Sequence, residues 1–133
     1  MAKNFIIPLG RAVISKYLVV STHFDDNLEK ATLPWVVANT ALAEGKEVAV
    51  FLQGKSVKGV TKGGAVGMHF EPFPPIADLI NAYLEGDGKV YLCSPCMKAH
   101  GVTEDQLLDG PTAAGAAFLI DLADGPVCLP INT

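Results

Sequence analysis

Three nearly unbroken apolar runs divide the chain: Tyr17-Leu18-Val19-Val20-Ser21-Thr22, Val48-Ala49-Val50-Phe51-Leu52 and Lys89-Val90-Tyr91-Leu92-Cys93. Runs without polar alternation mark strands covered on both faces. Val127-Cys128-Leu129 predicts a fourth strand. Between the first two runs, Leu28, Ala31, Trp35, Ala38 and Leu42 recur at helical spacing, which predicts a helix from about Asn27 to Glu44. Pro34 should kink that helix or mark a fresh start, and Gly45 suits its left-handed cap. A second helix is predicted from Pro74 or Pro75 to Leu84, with Ile76, Leu79, Ile80 and Tyr83 on one face. Thr103-Glu104-Asp105-Gln106 has the form of a capping box for a short helix. A last, Ala-rich helix is predicted from Thr112 to Leu122, with Gly115 at its middle. Strands alternating with helices imply right-handed crossovers. The expected fold is therefore a single α/β domain: a mostly parallel sheet of about five strands with helices on both faces, a Rossmann-like three-layer arrangement.

The segment from Gly54 to Glu71 breaks this rhythm. It holds Gly54, Gly59, Gly63, Gly64 and Gly67 together with Lys55, Lys58 and Lys62. It reads as one long irregular loop leaving the carboxyl end of a strand, where open α/β sheets bind ligands. Gly54-Lys55-Ser56 is not a phosphate loop, because Ala49 stands where the opening glycine is required. Gly63-Gly64-Ala65-Val66-Gly67 is not a dinucleotide fingerprint, because Lys62 occupies its first glycine. A solvated loop is the plainer account, and a flexible cover over a site the alternative.

The chain has 133 residues, 50% of them hydrophobic and 18% charged, with a net charge of −4. That balance excludes a disordered chain and argues against a nucleic-acid partner, which needs a basic face. It also predicts a homo-oligomer, some apolar surface being covered by another copy. Three cysteines do not make a secreted disulfide framework, so a cytoplasmic, reducing setting is expected. No apolar stretch is long enough to span a bilayer, and no membrane partner is expected. Pro8, Gly10 and Arg11 interrupt the N-terminal apolar stretch, which argues against a signal peptide. Residues 1–16 read instead as an arm packed on the domain or on a neighbouring subunit, and residues 17–133 as the domain.

The sharpest chemical feature is Cys93-Ser94-Pro95-Cys96 at the end of the third run. Pro95 is placed to begin a helical turn, which would aim free amides at the sulfurs. From Gly88 to Thr103 there is no acidic residue, while Lys89, Lys98 and His100 are present. Such surroundings favour thiolate over thiol, so Cys93 is expected to be reactive with a lowered pKa, and Cys96 to resolve or relay. The plainer reading makes Cys93 a small hydrophobe at a strand end. A zinc site lacks a second ligand pair, and no metal or organic cofactor is expected. A thioredoxin-like motif would come earlier and lead a longer helix. Cys128 reads as core. His23 beside Asp25 and Asp26 is expected to be exposed, with one of the aspartates capping the first helix. His69 and His100 are further candidate proton carriers.

Tyr17–Thr22, Ala41–Leu52, Val90–Thr103, Asp109-Gly110 and Ala113–Ala117, taken in order, resemble the DsrE/DsrF-like sulfur-relay family over about Tyr17 to Asp124. The resemblance implies a DsrE-like α/β domain assembled as trimers or hexamers. It further implies a persulfide carried at Cys93 and passed to a partner protein, a sulfurtransferase-like activity. Relatives have also been labelled predicted peroxiredoxins. Lys98, His100, Pro95 and Ser94 would support Cys93, with His23 and His69 as outlying candidates. Two alternatives stand beside this reading: a ligand-binding or assembly module without catalysis, and a Cys93/Cys96 redox switch.

Overall fold

The computed structural model describes residues 16–124 and the backbone of 128–132. The expected N-terminal arm, but for Lys16, lies outside the described residues, as does the side chain of Cys128. Five strands form one wholly parallel sheet: β1 (Lys16–Ser21), β2 (Glu47–Leu52), β3 (Lys89–Cys93), β4 (Thr112–Ala114) and β5 (Cys128–Asn132), in the order β4-β3-β2-β1-β5. In register, Val19 stands beside Val50, Leu52 beside Leu92 and Cys93 beside Ala114.

The chain steps across the sheet from β1 to β4 in one direction, then returns over it to β5. Right-handed crossovers place the helices of the outward steps on one face and the helix of the return on the other. Helices α1 (Leu28–Ala43) and α2 (Ile76–Glu85) accordingly share one face, where Trp35, Ala38, Ile76, Ile80 and Tyr83 pack with Val19, Val50, Val90 and Leu92. The Trp35 and Tyr83 rings pack edge to face, their centroids 5.7 Å apart. Helix α4 (Ala116–Ala123) lies on the other face, with Leu119 and Leu122 against Leu18, Ala49 and Phe51. Covered from both sides, the middle of β2 is buried throughout, as its apolar run requires.

Helix α1 starts one residue later than the aspartates suggest. Asn27 is its cap, its Oδ1 accepting the Lys30 N–H at 3.0 Å. The helix crosses the buried Pro34 without a break, and Gly45 leaves it in the left-handed region at φ +79°. Packing on both flanks offsets the hydrogen bond that proline cannot make.

Two expectations need correction. Thr112–Ala114 is not the start of the last helix but strand β4, paired with Tyr91–Cys93. Alanine's helix preference is local and weak, while the open edge of β3 offers ladder hydrogen bonds; extended Gly115 then caps α4. Nor is the Gly/Lys segment irregular from its start. Gly54–Val60 is a 3₁₀ helix that buries Val57 and Val60 in the core. Ser56 Oγ ties it to the end of β1, 2.7 Å from both the Ser21 and the Gln53 carbonyls. The residues beyond it are stitched to a second 3₁₀ turn, Glu104–Gln106, by Lys62 N–H to Gln106 O at 2.8 Å, and Leu108 N–H reaches Val60 O at 2.9 Å. That turn carries the expected capping box, Thr103 N–H donating to Gln106 Oε1 at 3.1 Å.

Candidate functional site

Parallel strands bring their carboxyl ends to one edge of the sheet. Cys93 ends β3 there and is the residue from which α3 (Ser94–Ala99) starts, with Pro95 in that helix's first turn. Buried Met97 anchors α3 to the main core. Ser94 Oγ donates to Ala114 O at 2.9 Å and so pins the start of α3 to β4.

The two cysteines straddle the sheet edge. Cys93 packs with Tyr91 and Ala114 on the α4 side, and Cys96 with the core beneath α1 and α2. Both are partly exposed. Burial pushes the Cys93 thiol above its ordinary value, and the Cys96 thiol adds to the rise; the Cys96 amide opposes them without prevailing. This corrects the expectation of a lowered pKa. The amides at the start of a six-residue helix do not outweigh the desolvation of the thiol.

The expected helpers are dispersed. Exposed Lys98 lines a cleft of about 520 Å³ whose wall also carries Glu104 and Asp105, so the acid-free stretch of sequence meets carboxylates in space. His100 lines a separate cavity of about 390 Å³ with Lys58, Lys62 and Phe24. Neither side chain is among the groups that move the Cys93 thiol. His23 is half-buried and bound to Asp26, Nδ1 to Oδ2 at 2.8 Å. His69 Nε2 sits 2.7 Å from Phe73 O, in the segment ahead of α2. Among the described residues no group of three His, Cys, Asp or Glu side chains converges as a metal site. Lys58 and Lys62, read from sequence as loop residues, are the positions undervalued there; their signal was lysines at a spacing of three to four on one short segment.

The family model of the DsrE/DsrF-like proteins matches residues 15–125, most of the chain. The chain belongs to the DsrE/DsrF-like family. It is 25% identical over 118 residues to an uncharacterised protein of Methanocaldococcus jannaschii, covering 89% of this chain and 43% of that one. It thus spans less than half the length of that relative. An uncharacterised protein of Methanopyrus kandleri is 32% identical over 93 residues, 70% of this chain and 74% of its own. The crystal structure of the YchN protein from E. coli superposes with a TM-score of 0.73 at 16% identity, over 88% of this chain and 99% of that one. This DsrE-like fold is compatible with oligomers. No helix among its described residues is long and apolar enough to cross a membrane.

Proposed function

We propose that Cys93 carries sulfane sulfur as a persulfide and hands it to a partner protein. The observation that carries this reading is a partly exposed thiol at the carboxyl end of β3, one helical turn before a second thiol, in a chain of this family. Loading is thiolate exchange: Cys93 Sγ attacks the outer sulfur of a donor persulfide, a new S–S bond forms, and the donor leaves as its thiolate. Unloading repeats the exchange, with the acceptor's thiolate taking the outer sulfur and Cys93 Sγ as leaving group. No metal or organic cofactor takes part. Cys96 offers a second exit, attacking Cys93 Sγ to form a disulfide while the outer sulfur departs as sulfide. Because burial holds Cys93 as a thiol at rest, its proton leaves when the donor brings a base or a cation to the sheet edge. The same reading has the protein acting in the reducing cytoplasm as a homo-oligomer, trimer or hexamer, with α4 at the contact.

Intact mass after incubation with a sulfane-sulfur donor tests this. Wild type and Cys96→Ala should gain one sulfur atom and Cys93→Ala none. Equal gain by Cys93→Ala overturns the assignment. Loss of two hydrogens by wild type with no gain of sulfur by Cys96→Ala, in which the second exit is closed, identifies a Cys93/Cys96 redox pair instead.

A further inference from the structure

We propose that the cavity lined by Lys58, Lys62 and His100 binds a phosphate-type oxyanion, free or carried by a small organic molecule. The proposal is independent of the chemistry at Cys93.

The chain is acidic overall, yet two of its stretches, residues 48–70 and 88–103, contain no Asp or Glu. The fold packs them together: the 3₁₀ helix Gly54–Val60 from the first lies against α3 from the second. Lys58 and Lys62 from the first and His100 from the second line this cavity of about 390 Å³, and among the described residues no carboxylate does. Glu104 and Asp105 face the neighbouring cleft, and Asp26 is engaged by His23. Asp25 pairs with the lysines of the first stretch, 3.6 Å from Lys58 Nζ and 3.9 Å from Lys55 Nζ. One exposed carboxylate thus faces two ammonium groups, and Lys62 adds a third, whose Nζ donates to the neutral Asp105 backbone carbonyl at 3.3 Å. Cations that converge on a concave, partly desolvated surface attract an oxyanion more strongly than the same charges spread over a flat one. The volume exceeds what an inorganic oxyanion fills. The wall carries buried Phe24 and Val102, suited to an apolar remainder beside the charged head. Lys62 is also set in place through its backbone, its N–H bound to Gln106 O, so the anchor does not depend on a loose loop.

Inorganic phosphate and phenyl phosphate are the probes, titrated into the full chain at low salt with amide NMR shifts as the readout. Saturable shifts at Gly64 and Gly101, tighter for phenyl phosphate, are expected. Lys58→Gln/Lys62→Gln should weaken phosphate binding at least tenfold, roughly the loss of two charge-assisted contacts. Asp25→Asn should act in the opposite sense and tighten it, because it frees Lys58 and Lys55; a purely structural role for these residues would not produce that sign. Absence of saturable shifts in wild type, or unchanged affinity in both the double variant and Asp25→Asn, overturns the site.

Discussion

The Asp26 carboxylate accepts the Phe24 N–H at 2.8 Å and stands 2.8 Å from His23 Nδ1. That amide first, and the imidazole second, hold its pKa down to about 2. A carboxyl lowered in the folded chain contributes stability that is fully present above its unfolded pKa of about 4 and is lost as the pH falls from there toward about 2. Asp26→Asn keeps an oxygen for the Phe24 amide and removes the charge. Its deficit in thermal midpoint against wild type should therefore be present near neutral pH and vanish on acidification through that window. A deficit that does not change with pH would assign the effect to packing. The same turn marks a limit of the sequence. Asp25, Asp26 and Asn27 are three successive side chains able to cap a helix; only the fold sends Asp25 to Lys55 and Lys58 and Asp26 back to Phe24, leaving Asn27 for the cap. Cys93 divides similarly. Its place at a strand end follows from the run Lys89–Cys93, but the sign of its pKa shift depends on layers packed around it, which linear neighbours do not reveal.

Helix α1 begins at a single side-chain contact, Asn27 Oδ1 to the Lys30 N–H. Asn27→Ala should lower stability by about 1 kcal/mol, read as a drop in urea midpoint at constant slope. Asp25→Ala and Asp25→Asn should leave that midpoint nearly unchanged, because exposed ion pairs of 3.6 and 3.9 Å contribute little. A larger loss at Asp25 than at Asn27 would contradict the assigned cap. Elements with a clear apolar signature, a helical period in α1 and α2 and unbroken runs in the first three strands, were readable to within a residue or two. The two misread segments lacked that signature for distinct reasons. Thr112–Ala114 is too short to alternate, and its strand state comes from the partner edge of β3. Gly54–Val60 hides a period of three: Val57 and Val60 recur at the 3₁₀ spacing, masked by glycines and lysines between and around them.

The order of buried runs and helices along the whole chain carried the fold and the family, because every crossover in a parallel sheet constrains the next. What that order does not convey is how evenly the two faces of the sheet are covered. One face lies under α1, α2 and the 3₁₀ helix; the other meets α4, eight residues of which only Asp121 is charged and none is buried. Leu119 and Leu122 pack toward the sheet, while the Phe118 and Tyr91 rings stand edge to face with centroids 4.6 Å apart and Phe118 remains 37% exposed. Ile120 is 61% exposed. An apolar helix with that much surface in water is stabilised when a second copy covers it, and a closed ring of copies leaves no such face open. The chain should therefore scatter light as a multiple of its own mass at micromolar concentration. Ile120→Asp should reduce that mass toward the monomer with its secondary structure intact. Ile120 is mostly exposed, and a substitution at a site of this kind ordinarily changes stability by less than about 0.5 kcal/mol. Any larger deficit in thermal midpoint should then shrink as wild type and variant are diluted together, since assembly stabilises the wild type by mass action. A wild-type chain that stays monomeric at all working concentrations would leave α4 as an outward face and remove the basis for assembly.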